Sequence, residues 1–330
     1  MPTKRNYGGE QQNYVPKGNE AGGQWGDDET GSNVNWKNPN AKESKLTQGV
    51  KKGLGESVGV QVEPTKEKGK NDISKSIDES GANSETKSIF KKAWDSGNET
   101  SKNIIDNMPR KISVNIKDKG KSYFNAALDY VNISKNIGGN DGKNQETLFH
   151  ELGHAVDYMY CEGKIITKVD IWGETSAKVI PSLSFCYKTS NGMTLNETLK
   201  KEFKPAVRQQ VVSDYRKEIA QINDYEQRRK ANAKWSDLSD MYEGAGGNSY
   251  GFAGFGHGRS YWKNRDDLRG VEFFAEAFSA KSSSNQERYE LIKKYLPNTC
   301  KAFEEIYEKL SKADGKVILK TEEEGEQKND

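Results

Sequence analysis

The sequence predicts an α+β fold, mostly helical with a small mixed sheet, preceded by a disordered N-terminal arm. Three observations predict it. Beyond about residue 85, apolar residues recur at helical spacing through most of the chain; one block, residues 112–133, alternates as strands do; and residues 1–84 carry few large apolar side chains and no sustained period. Hydrophobic residues are only 32% of the 330, and mean hydropathy is -0.97, so part of the chain is too polar to pack. The formal charge of +2 leaves no global field to draw nucleic acid or a membrane surface. No apolar run approaches the ~18–20 residues of a membrane span, and the N-terminus lacks the apolar core of a secretory signal. Cys161, Cys186 and Cys300 are odd in number and widely spaced, which fits reduced, buried thiols.

Taken in order, residues 1–84 are the arm, rich in Gly, Asn, Lys and Glu. Order is expected from Glu85, where Ile89, Phe90, Ala93 and Trp94 share a helix face before Ser96-Gly97 ends the pattern. A second short helix follows over Glu99 to Asn107. Ile112 to Ile116 alternates as a half-buried strand, and Ser122 to Ile133 holds one or two more. The loop Gly138-Gly139-Asn140-Asp141-Gly142 then releases the chain into a long helix. After short apolar runs between 161 and 195, Leu199, Phe203, Val207, Val211, Tyr215, Ile219 and Ile222 mark one long amphipathic helix with a solvated charged face, and Pro205 is where it can break. Residues 313–330 are a charged disordered tail.

The chemistry is concentrated in Thr147-Leu148-Phe149-His150-Glu151-Leu152-Gly153-His154-Ala155-Val156-Asp157, which holds two of only three histidines. Positions i and i+4 of a helix lie on one face about 6 Å apart along the axis, so His150 and His154 can bind one ion. This is the His-Glu-x-x-His spacing of zinc sites. Glu151 follows the first ligand directly, so its carboxylate can face an activated water as general base. Leu148, Phe149, Leu152, Ala155, Val156 and Met159 form a stripe that would bury this helix, and buried imidazoles need a partner. The extended pattern with a third histidine fails, because Asp157 and Tyr160 occupy its remaining positions. A carboxylate from a downstream helix is then expected to complete the Zn2+ site. Glu272 and Glu276, in Gly270-Val271-Glu272-Phe273-Phe274-Ala275-Glu276-Ala277-Phe278-Ser279-Ala280, share a face, so one can bind the ion while the other holds a ligand histidine.

HELGHAVDYMY followed by EFFAEAFSA closely resembles the catalytic domain of anthrax lethal factor and its relatives, including secreted proline-specific endopeptidases of clostridia. Tyr295-Leu296-Pro297-Asn298-Thr299-Cys300-Lys301-Ala302-Phe303 is similar to the start of that family's closing helix, and the likeness covers residues 110–160 and 255–310. The resemblance implies a zincin-like metallopeptidase domain over 85–312, with metal ligands His150, His154 and Glu272, Glu151 as base, and Glu276 behind a histidine ligand. It also implies that the strand before the metal helix is a sheet edge that pairs with extended peptide; a plain core hairpin is the alternative. In that family a tyrosine just upstream of the second helix stabilises the oxyanion. Here Arg265 stands at that spacing, which leaves Tyr261 and His257 as the catalytic candidates. The separation of His154 from Glu272 exceeds the family's, so 161–255 is read as a helical insertion.

A second likeness points to origin. Trp235-Ser236-Asp237-Leu238-Ser239-Asp240-Met241-Tyr242 and Gly254-Phe255-Gly256-His257-Gly258-Arg259-Ser260-Tyr261-Trp262-Lys263 are similar to "SDxY … GHGxxYW" in zincin-like domains of tailed-phage minor head proteins. The arm tract Tyr14-Val15-Pro16-Lys17-Gly18-Asn19-Glu20-Ala21-Gly22-Gly23-Gln24-Trp25 resembles one in phage structural proteins and phage-linked toxins, with a plain Gly-rich linker as the alternative. Together they imply a phage- or prophage-encoded protein; from the lack of a signal-like or membrane-spanning stretch, a cytoplasmic or virion-associated place is expected. Its partner is expected to be a protein or peptide substrate such as a capsid or host protein, with no nucleic acid and no membrane. Two functions follow: a zinc endopeptidase, or a head-associated structural protein with a zincin fold and little proteolysis. An intact Glu151 favours the first, since a structural ion needs no base.

Overall fold

A computed structural model describes residues 70–135, 141–162, 166–169, 175–179, 181–245, 251–254, 256–257, 259–262, 268–284 and 286–320. The tract Tyr14–Trp25, Gly138, Gly139, Asn140 and Arg265 lie outside these residues. The described chain is mostly helical with a small mixed sheet.

Order begins before Glu85. Helix α1 (Ile73–Glu79) is capped by the Asp72 side chain, which accepts from the Lys75 amide at 2.8 Å, and it buries Ile73 and Ile77. Asn71 donates to the carbonyls of Ile105 and Arg110 at 3.3 Å and accepts from the Ile112 amide at 2.9 Å. Residues 70–84 therefore belong to the packed domain and not to a disordered arm. Two isoleucines one turn apart in a polar stretch are too few to show a period.

Helices α2 (Ser84–Asp95) and α3 (Glu99–Asp106) begin at Asn83 and Asn98, whose side chains accept from first-turn amides. Strands β1 (Ser113–Lys117), β2 (Tyr123–Asn125) and β3 (Tyr130–Ser134) form a sheet in the order β1-β3-β2. β3 runs parallel to β1, with Ser113 opposite Tyr130, and antiparallel to β2, with Tyr123 opposite Asn132. The strand before the histidine-bearing helix is thus central among the described strands, with both edges paired. The expected substrate-binding edge is corrected: only β1 or β2 could offer one. The hairpin alternative describes the β2–β3 pair.

Helix α4 (Asp141–Met159) carries the histidine motif, and Asp141 and Gly142, read as loop, are its first residues. Strand β4 (Cys161–Glu162) pairs in parallel with β7 (Leu319–Lys320). Residues 313–320, expected in a disordered tail, are therefore tied to the end of α4. β5 (Ile166–Val169) and β6 (Thr175–Val179) pair antiparallel, so the 161–255 stretch is not wholly helical.

Short α5 (Leu183–Cys186) leads to α6 (Leu195–Glu202), which opens on a capping box between Thr194 and Glu197. The long amphipathic pattern divides here: α7 (Pro205–Ala220) starts with Pro205 in its first turn, where the missing N–H costs nothing. Val211 is its one fully buried residue, which leaves its charged face to solvent. Then come α8 (Tyr225–Lys234), α9 (Ser236–Gly244), α10 (Arg259–Trp262), α11 (Leu268–Ser282), α12 (Glu287–Tyr295) and α13 (Pro297–Lys312).

α11 is buried nearly all round, as a helix apolar on several faces must be. One side lies against α4, where a Cβ added at Gly153 would stand 3.1 Å from the Ala275 Cα. Its other side meets α13, with Phe274 edge-on to Phe303 at 5.3 Å between centroids. The Glu202 carboxylate accepts from the Asn298 and Thr299 amides at 2.9 and 2.7 Å, so an acid stabilises the α13 N-terminus. No helix among the described residues is long and apolar enough to cross a membrane.

Candidate metal centre

The stripe on α4 buries as its spacing requires: Leu148, Phe149, Leu152, Ala155 and Val156 are fully covered, and Phe149 stacks on Trp94 at 5.8 Å. This sets the rotation of the helix and turns His150 and His154 toward α11. Their Nε2 atoms are 3.1 Å apart with rings perpendicular, and Glu272 Oε2 stands 3.5 Å from each. The three residues, 9%, 4% and 1% exposed, form a group that could hold a metal ion.

Behind them is a layer of charge. Glu276, one turn after Glu272, places Oε2 3.5 Å from His150 Nδ1 and 3.5 Å from Arg288 Nη2. Arg288 Nε donates to Asp237 Oδ2 at 2.9 Å, its Nη2 also reaches Asp237, and its Nη1 lies 3.6 Å from Glu146. Burial alone would raise Glu276, but the charges of His150 and Arg288 hold it well below the usual carboxylate range. Burial would likewise lower His150, yet Glu276 and Glu272 outweigh it and hold the imidazole well above its ordinary value. Glu272 is held low against burial by His154 and His257. A carboxylate kept ionised beside two imidazole nitrogens has the character of a metal ligand.

Glu151 is 1% exposed, and neither of its oxygens has a hydrogen-bond partner among the described residues. Burial pushes its carboxyl up, opposed by His150 and His154. His257 Nε2 lies 3.4 Å from Glu272 Oε2 and 3.4 Å from Asp240 Oδ2. Tyr261 stacks on the His257 ring at 4.1 Å and donates its hydroxyl to Glu272 Oε1. All three histidines therefore meet at one carboxylate.

Each residue expected from sequence, His150, Glu151, His154, His257, Tyr261, Glu272 and Glu276, lies in this one cluster. The two residues proposed as oxyanion donors face Glu272, so in this arrangement they position a carboxylate. Sequence reasoning missed Asp237, Asp240, Arg288 and Glu146. Asp237 and Asp240 carry a readable signal, two acids three residues apart on one face of α9; Arg288 carries none, because its partners come from three other helices. Asp157 serves packing and not the metal cluster. It accepts from the Ser184 amide at 2.8 Å and hydroxyl at 2.6 Å, pinning α5 to α4. Compared with known proteins, the chain matches no family model, no curated protein and no solved structure.

Proposed function

We propose that this protein is a zinc-dependent endopeptidase with a zincin-like fold, of phage or prophage origin, in which His150, His154 and Glu272 hold the ion. The carrying observation is Glu151: a fully buried carboxylate with two unpartnered oxygens, beside three side chains that converge as ligands. A structural ion needs no such group. The donor set fits zinc. Tetrahedral bonds of about 2.0–2.1 Å place ligand atoms roughly 3.3–3.4 Å apart, and the observed separations are 3.1, 3.5 and 3.5 Å. Two imidazoles and one carboxylate also leave a fourth position for water or substrate, the pattern of catalytic sites.

When bound, zinc supplies Lewis acidity, polarising a carbonyl and acidifying water. Glu151 takes a proton from the attacking water and returns it to the leaving amine nitrogen, so the C–N bond is exchanged for C–O and N–H bonds and Glu151 ends unchanged. Its raised proton affinity in the buried site suits both halves of that transfer. Glu276 and Arg288 hold His150 in place, and Tyr261 fixes Glu272 through Oε1. The lethal factor likeness in HELGHAVDYMY and EFFAEAFSA supports the same reading.

The test is digestion of a mixed peptide library by wild type and Glu151→Gln, with zinc measured in both. Cleavage should fall about 10²–10⁴-fold in the variant while zinc is retained. Indistinguishable digests reject the peptidase reading, and zinc missing from wild type rejects the site as well.

A further inference from the structure

We propose that Asp240, His257 and Glu272 form a second divalent-cation site, sharing the Glu272 carboxylate with the first and making the centre dinuclear. The proposal rests on the first set binding an ion. Asp240 comes from α9, His257 from the segment before α10, and Glu272 from α11; one ligand atom of each lies within 4.8 Å of the others. The His257–Asp240 and His257–Glu272 separations, both 3.4 Å, equal the edge expected for first-row metal bonds of about 2.0–2.1 Å.

Carboxylate oxygens in this set lack hydrogen bonds despite their burial. Asp240 is 4% exposed, and beyond its 3.4 Å ion pair with His257 neither oxygen has a hydrogen-bond partner among the described residues. Glu272 Oε2 has no hydrogen-bond partner beyond its 3.4–3.5 Å ion-pair contacts with the three histidines. A cation between Asp240 and Glu272 would supply both carboxylates with the contact that hydrogen bonds do not.

Charge leads to the same place. Glu151, Asp237, Asp240 and Glu272 are buried around the three imidazoles and Glu276 is partly buried beside them, with Arg288 as the guanidinium that pairs Asp237 and Glu276. This acidic lining outnumbers its one guanidinium, a surrounding that favours divalent cations.

The bridge is prepared by Tyr261. Its hydroxyl occupies Glu272 Oε1, and Oε2 is left as the common neighbour of His150, His154 and His257. Two ions on one oxygen at about 2.1 Å can stand no more than roughly 4 Å apart, which is the spacing of two-metal hydrolytic centres. The α9 register that delivers Asp240 is locked one turn earlier by Asp237 on Arg288. One imidazole with two carboxylates suits Zn2+ or Mn2+. A second ion also supplies the electrophile that neither His257 nor Tyr261 offers while facing Glu272.

The experiment is metal stoichiometry on the full chain, stripped with chelator, reloaded with Zn2+, desalted and read by native mass spectrometry. Wild type should carry two ions, and Asp240→Asn and His257→Gln one each. Loaded with Mn2+, wild type should give the electron paramagnetic resonance signal of an exchange-coupled pair. One ion in wild type, with none lost in Asp240→Asn, overturns the second site and leaves the first standing; no ion overturns both. Two ions retained in Asp240→Asn, or an uncoupled six-line Mn2+ spectrum at full loading, also overturns the proposal. The Mn2+ spectrum needs no variant, so misfolding of a substitution does not decide the outcome.

Discussion

Gly153→Ala places one methyl group where the two helices that carry the proposed ligands cross. A Cβ there meets the Ala275 Cα at 3.1 Å, the Phe278 Cβ at 3.3 Å and the Ala275 oxygen at 3.4 Å. Ordinary carbon contacts are about 3.5–4.0 Å, so α4 and α11 must part by roughly 0.4 Å or more. Neither neighbour can swing aside: two of the atoms are backbone, the third is a Cβ, and Ala275 and Phe278 are fully buried. Helix propensity works the other way, since alanine is better than glycine by about 1 kcal/mol. Overpacking costs about 1–3 kcal/mol, so the net effect is a loss of about 1 kcal/mol. The crossing lies between His150 and His154 on α4 and between Glu272 and Glu276 on α11, so the displacement passes directly into the histidine–glutamate distances. Metal sites tolerate about 0.2 Å, and zinc affinity should fall about 10–100-fold. Urea denaturation of the metal-free protein reads the first effect, and zinc competition against a chromophoric chelator reads the second. A variant stabilised by about 1 kcal/mol with unchanged zinc affinity would refute the reasoning, because propensity alone would then govern the position.

Two further outcomes follow from buried charge. Arg288→Met leaves Asp237 and Glu276 without their cation and should cost about 3–5 kcal/mol in urea denaturation; adding Asp237→Asn should recover part of it, and additive losses would deny the coupling. The second concerns Asp157, pushed by burial from 3.8 to about 7 against the lowering effect of its Ser184 hydrogen bonds. Its folded proton affinity exceeds the unfolded one, so its contribution is fully present below about pH 4 and is lost as pH rises through 7, at most about 4 kcal/mol. Wild-type stability should therefore decline relative to Asp157→Asn between pH 4.5 and 7.5; parallel stability profiles across that range would count against the buried, protonated carboxyl.

Much of the local order was legible because its causes are local. Ile89, Phe90, Ala93 and Trp94 recur at helical spacing and mark the helix after residue 84, and Pro205 divides the amphipathic stretch as its missing N–H demands. The order of the sheet was not legible. Whether Tyr130–Ser134 is an edge or a centre depends on which strand lies on its other side, and alternation in one strand carries no record of that. Helix α1 and the β4–β7 pair escaped for a related reason: each is too short to show a period and is held by partners distant in the chain, Asn71 by Arg110 and Leu319 by Cys161.

At the centre, sequence by itself determined the pair His150 and His154 with Glu151 between them, because helix geometry places residues four apart on one face whatever the rest of the chain does. The spacing of Glu272 and Glu276 is local in the same way. Tertiary structure alone decided that all three histidines meet at Glu272 Oε2, that Tyr261 is spent on Oε1, and that Asp240 arrives beside His257. Those meetings are set by the crossing of α4 and α11 at Gly153 and by the Arg288–Asp237 pair that holds α9, both contacts between segments far apart in sequence. A one-dimensional pattern records which groups can share a face; which faces touch is fixed by the burial of the whole core.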